Sequence, residues 1–220
     1  MKLLLILTSI NTVFSWNPTN YPFLPASTDN TKVRNLIIEA QGPNKRILDI
    51  GCGLGYSTSD SPGCLGIDRN KKNINKAKKL FPNKRFRHSL KPNVFKYEKY
   101  DLVTCMFYLN ELPSIVRKDI IQAAIDLAEE RVVIVDIPPE YEPNKELIKS
   151  HKHLNDYIKN CRDELSEFKE QVYVDGLLNI WIYDKKEHTH NNGIVNITNS
   201  QNNYNKYNNY KKGLGCELEF

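Results

Sequence analysis

The chain has 220 residues, 40% of them hydrophobic and 26% charged, with a net charge of +5, which suits one well-buried globular domain. Five cysteines (Cys52, Cys64, Cys105, Cys161, Cys216), odd in number and without a C-x-x-C pair, suggest neither a disulfide framework nor a zinc site and read as reduced thiols. The charge is uneven: residues 69–99 hold twelve Lys or Arg against the single acid Glu98, a block of +11 that leaves −6 for the rest.

In chain order, residues 1–15 read as a targeting leader, with Lys2 as the charge, Leu3 to Phe14 as the mostly apolar run, and Val13 and Ser15 at cleavage positions −3 and −1. The run is too short for a stable membrane span and is interrupted by Asn11; the rival reading packs it on the domain. Ser15-Trp16-Asn17-Pro18 also resembles the two-part plastid leaders of algae with secondary plastids. A secretory or a plastid route is therefore expected if the leader is cleaved, and a cytoplasmic location if it is not.

The Ser27, Thr28, Asp29 cluster is expected to cap a helix running to about Gln41, stopped by Gly42 and Pro43. Strands and helices then alternate, the pattern of a parallel sheet with crossover helices. The expected strands are 46–50, 64–67, a short one near 85–88, then 100–107 and 131–137, the last two nearly continuous apolar runs. Helices are expected over 70–80, where the lysines form a solvated face, over 113–130, and once or twice within 144–168. Strands at 171–174 and 177–183 flank the hairpin turn Asp175-Gly176, so the sheet ends in an antiparallel pair. The expected fold class is thus α/β, a Rossmann-like, doubly wound and mostly parallel seven-stranded sheet, over residues 16–184. From 185 to 220 the Asn-, Lys- and Tyr-rich composition predicts a disordered tail.

The informative stretch is Ile47-Leu48-Asp49-Ile50-Gly51-Cys52-Gly53-Leu54-Gly55-Tyr56, an apolar strand running into a glycine loop. Glycines at alternate positions let the backbone turn sharply and approach a ligand closely. A dinucleotide site uses G-x-G-x-x-G, and its third glycine position is Tyr56 here, which disfavours an NAD oxidoreductase. Asp68 ends the second strand, 19 positions after Asp49, where two carboxylate oxygens can accept both hydroxyls of a ribose.

These residues are similar to motif I and the ribose-binding acid of class I S-adenosylmethionine-dependent methyltransferases. The resemblance covers about residues 30–183. It implies S-adenosylmethionine as cofactor, with Gly51, Gly53 and Gly55 as the loop, Asp49 near the methionine amino group, Asp68 on the ribose, and Arg69 and Asn70 bordering the adenine. The short crossover 57–63, containing Pro62-Gly63, departs from the family's full helix. His88 and Ser89 stand where the family often has an adenine-binding acid, and Met106 and Phe107 are expected to line the cofactor pocket.

The acceptor side falls on Met106-Phe107-Tyr108-Leu109-Asn110-Glu111-Leu112-Pro113 after the fourth strand. Tyr108, Asn110 and Glu111 are the candidates to orient or deprotonate an acceptor, Glu111 having the alternative role of a charge at the start of a helix. The stretch resembles small algal and plastid-type methyltransferases that carry a His where Asn110 stands. Asp136-Ile137-Pro138-Pro139 is unlike the Pro-Pro motif of adenine methyltransferases, which follows the fourth strand; a rigid turn explains it. The expected partner is a small-molecule methyl acceptor. The alternatives are an RNA-directed methyltransferase or RNA-binding module using residues 69–99, and a member that binds cofactor without catalysis.

Overall fold

The computed structural model describes residues 30–39, 44–92 and 98–187. The leader, the tail from residue 188 and Cys216 lie outside these residues. The chain divides after Lys185, and the architecture belongs to the first unit.

Helix α1 (Asn30–Glu39) precedes β1 (Ile47–Ile50); β2 (Leu65–Asp68), α2 (Lys71–Leu80) and β3 (Phe86–His88) follow. Then come β4 (Tyr100–Met106), a 3-10 turn at Leu109–Glu111, α3 (Ser114–Leu127) and β5 (Ala128–Asp136). The described unit closes with α4 (Lys145–Ser150), α5 (Leu154–Glu164), β6 (Lys169–Val174) and β7 (Leu178–Asp184). All seven strands form one sheet in the order β3-β2-β1-β4-β5-β7-β6. Strands β1 to β5 are parallel, and β7 runs antiparallel to both β5 and β6. This is the doubly wound, Rossmann-like arrangement that the alternating pattern predicts.

Continuous apolar runs become strands here because helices cover both sheet faces. One core layer joins Leu48, Val103 and Ile134 to Ile121 and Ala124 of α3 and Tyr157 of α5; the other joins Ile47, Leu102 and Val133 to Ile37 of α1. The four described cysteines are buried and unpaired. No described helix is long and apolar enough to cross a membrane.

Several strand bounds shift by one or two residues, β6 beginning at Lys169; one helix boundary differs for a tertiary reason, and the crossover 57–63 is as short as expected. The helix expected to reach residue 130 ends at Leu127, and residues 128–130 begin β5. Ala128 pairs with Tyr100 across a bulge, while Glu129 and Glu130 bind Arg46 and Lys45. Helix propensity thus yields to long-range pairing. The crossover 57–63 forms only turns and bends, since Ser57 and Thr58 point inward to Asp49 instead of starting a helix.

The chain leaves β1 for β2 on one side and returns to β4 on the other. The carboxyl ends of β1 and β4 therefore flank a topological switch point, where open α/β sheets form their ligand crevice.

Candidate functional site

The glycine loop turns off β1 over the end of β2. The N–H groups of Gly51 and Cys52 both donate to the Ile67 carbonyl, at 2.9 and 3.0 Å. Gly51 has φ +74°, and a Cβ there would lie 2.3 Å from the Tyr108 ring, so the loop and the segment after β4 close on each other only because this residue has no side chain. A Cβ on Gly55 would collide with Phe86 at 2.4 Å; this glycine serves the packing of the loop on β3. A Cβ on Gly53 meets nothing within 4 Å, which leaves the loop's open face there.

Asp68 is 6% exposed and ties this face together. Its Oδ2 accepts from Gly53 N–H at 2.9 Å and its Oδ1 from Asn70 N–H at 2.6 Å. A carboxylate has about four acceptor positions, so each oxygen keeps one lone pair beyond these bonds. Asn70 itself caps α2, accepting from the N–H groups of Lys72 and Asn73.

Asp49 lies deeper, 1% exposed. Ser57 and Thr58 donate to its Oδ2, each at 2.7 Å, and Thr104 donates to Oδ1 at 3.2 Å. Burial pushes this carboxyl above its usual range, opposed by the three hydroxyls and by the charge of Arg34. Asp49 therefore locks the loop to β4, and Arg34 brings a positive charge from α1 toward the same edge.

The cleft at the switch point is lined by Ile50, Gly51, Ile67, Asp68, Arg69, Ser89, Leu90, Pro92, Tyr108 and Ile120. Its walls are largely apolar, with one carboxylate and one guanidinium as its charged groups.

After β4 the chain is redirected by Phe107, whose φ of +58° is rare for a bulky residue and stores strain at the edge of the crevice. The Arg34 guanidinium lies 4.5 Å from its ring centroid and holds it down. Tyr108 then lies across Gly51; burial pushes its phenol far up, so it stays protonated and has no role as a base. Asn110 is fully buried and donates from Nδ2 to Asp136 Oδ1 at 2.6 Å. Asp136 also accepts from the backbone N–H groups of Leu109, Asn110 and Ile137. Asn110 is thus a clamp between the segments following β4 and β5.

Glu111 keeps part of its surface in solvent, yet protein atoms crowd its carboxyl. This desolvation, with the charges of Asp136 and Asp68 and against that of Arg69, pushes its pKa up to about 7. It is the one candidate base of the three poised near neutrality. A carboxyl-selective NMR titration is expected to show a step near pH 7 that vanishes in Glu111→Gln; a midpoint left at 4.5 contradicts the placement. The sign follows: the folded state holds the extra proton, so stability relative to Glu111→Gln falls as pH rises from about 4.5 to about 7.

Of the residues named from sequence, Gly51, Asp68, Arg69, Ser89 and Tyr108 line the cleft. Met106 does not: it is 1% exposed and packs with Ile37 and Val135 in the core layer under α1. His88 stays outside the lining, its Nε2 3.1 Å from the Arg69 carbonyl oxygen. Sequence reasoning missed Arg34, Pro92, Ile120 and the role of Asp136. The signal for Asp136 was its place, an acid closing an otherwise apolar strand.

No family model matches the chain. The 235L protein of Invertebrate iridescent virus 6, whose name assigns it provisionally as a methyltransferase, is 31% identical over 118 residues. The match covers 50% of this chain and 43% of that protein, so the chain spans less than half of the relative. Among solved structures, the magnesium protoporphyrin IX methyltransferase of Synechocystis PCC 6803 with bound S-adenosylmethionine has a TM-score of 0.50 at 18% identity, covering 70% of this chain and 76% of that one. The plantazolicin methyltransferase with bound S-adenosylhomocysteine scores 0.50 at 16% identity, with 70% and 84% covered. The CurJ carbon methyltransferase scores 0.51 at 15% identity, with 70% and 53% covered. At these identities the likeness is one of fold.

Proposed function

We infer that this chain, which has the fold of the class I S-adenosylmethionine-dependent methyltransferases, is itself one of them, binding S-adenosylmethionine and methylating a small molecule. The observation that carries the reading is the pairing at the switch point of an unobstructed Gly53 with Asp68, whose two oxygens each keep a lone pair for a ribose hydroxyl. Ile50, Ile67, Leu90 and Pro92 supply the apolar walls for an adenine, and Arg69 borders it.

When bound, the cofactor supplies an already activated methyl group, so the protein's share is alignment and exclusion of water. Tyr108 closes the cleft over Gly51. The Asn110–Asp136 clamp fixes the segment that carries Glu111. Glu111, half-deprotonated near pH 7, takes the proton from an acceptor that must lose one. In support of a small acceptor, the two fold neighbours whose names state a substrate act on magnesium protoporphyrin IX and plantazolicin.

Calorimetry of the full chain with S-adenosylmethionine, S-adenosylhomocysteine and NAD side by side tests the reading. Binding of the first two and no heat with NAD is expected; binding of NAD alone overturns it.

A further inference from the structure

In doubly wound folds the turn after the first strand opens a helix, whose first N–H groups hold the loop in shape and face the ligand. Residues 57–63 form only turns and bends here, so the outer arm of the glycine loop, Gly55 and Tyr56, has no helix to anchor it.

The turn between α2 and β3 takes that place. Phe81 ends α2, its backbone N–H donating to the Ala77 carbonyl, and the backbone N–H of Lys84 donates to the Phe81 carbonyl at 3.1 Å. The Phe86 ring lies against Gly55, filling the space a Cβ would need. The Phe81 ring meets Tyr56 edge to face, with centroids 5.2 Å apart. The Lys84 ammonium stands 4.2 Å from the Phe81 centroid and donates to the Gly55 carbonyl at 3.1 Å. Gly66 of β2 makes this closure possible, since a Cβ there would meet Thr58 Oγ1 at 2.5 Å and Phe86 at 2.9 Å.

Lys84 is half-buried and forms no ion pair with a described residue, its ammonium bonding a neutral carbonyl instead. Burial draws its pKa below the ordinary lysine range, opposed by the charges of Asp60 and Asp49. An apolar side chain would cover Phe81 without that desolvation, so packing alone does not account for a lysine here. Its bond fixes the peptide between Gly55 and Tyr56. From there the Gly55 N–H reaches the Cys52 carbonyl at 2.8 Å, closing the turn that aims the Gly53 N–H at Asp68.

We propose that Lys84 is a positioning residue for the cofactor site, holding the Gly55 carbonyl so that the open face of Gly53 stays set against Asp68, an assignment that rests on the S-adenosylmethionine reading above. Lys84 does not line the cleft and acts through the loop.

The test is calorimetry of the full chain with S-adenosylhomocysteine, together with amide hydrogen exchange at Gly53 and Gly55 without ligand. Lys84→Met keeps the reach and the contact with Phe81 but neither charge nor donor. It is expected to lower affinity about tenfold, the low end for a hydrogen bond to a charged group. Exchange at Gly53 and Gly55 should quicken, while Tm and exchange in β4 and β5 stay as in the wild type. Lys84→Arg keeps the charge, a donor and the ring contact and is expected to bring affinity back to within about threefold of the wild type. Lys84→Gln, neutral and one atom shorter, carries the same expectation as the methionine form and replaces it if that form does not fold. A wild-type chain that binds no S-adenosylhomocysteine overturns the cofactor reading and this assignment with it. Wild-type binding left unchanged by Lys84→Met, equal losses in the methionine and arginine forms, or exchange quickened throughout the sheet overturns the role of Lys84 alone.

Discussion

Arg117→Met is expected to lower the unfolding free energy by about 3–5 kcal/mol, the cost of stripping one partner from a buried ion cluster. The Arg117 guanidinium is fully buried. It donates from Nε and Nη2 to Glu164 at 2.6 and 2.9 Å, from Nη2 to Asp156 at 2.8 Å, and from Nη1 to the Leu112 carbonyl at 2.6 Å. Methionine fills the space but leaves the Glu164 carboxylate, 4% exposed, with only the Ser114 hydroxyl as donor, and leaves the Leu112 carbonyl bare. The double variant Arg117→Met/Glu164→Met removes the stranded charge and is expected to recover much of the loss, so the cycle isolates the coupling. Urea denaturation of both single variants and the double measures it; a loss in the double equal to the sum of the two single losses would show that the cluster is not coupled. Because Leu112 ends the segment bearing Glu111, the single variant should also shift the Glu111 titration toward its ordinary range, as that loop loosens.

Asp68→Ala is expected to weaken S-adenosylhomocysteine binding by about 1.5–3 kcal/mol, roughly 10- to 150-fold, the range for hydrogen bonds to a charged group. Two effects act together. The ribose loses its acceptor, and Gly53 and Asn70 lose the carboxylate that orients the loop and the start of α2. Asp68→Asn separates them, since the amide keeps one acceptor oxygen for a backbone N–H but loses the charge. Calorimetry on all three forms is the measurement, with Tm as control for the loop. An affinity unchanged in Asp68→Ala would make this residue a purely structural link and remove the main support for the nucleoside site.

The glycine loop, its preceding strand and Asp68 were legible in the sequence because they are local: a buried strand reads as an apolar run, and a chain reversal at a positive φ reads as glycine. Strand alternation and the Asp175-Gly176 turn were legible for the same reason, and they imply the sheet with its antiparallel end. Tertiary structure alone decided what each polar residue does. Asn110 and Glu111 are adjacent, yet Asp136, 26 positions after Asn110, draws that side chain into a buried clamp, while Glu111 is left at the surface with its carboxyl raised chiefly by the protein atoms that desolvate it. Met106 fell to the core because alternation along β4 aims it at the layer under α1, a direction set by which face each helix covers. The basic block 69–99 was legible as a run of charge, and the sheet order decided that it lies at the β3 edge. Burial and partner choice depend on contacts between residues far apart in the chain, and no local pattern encodes those.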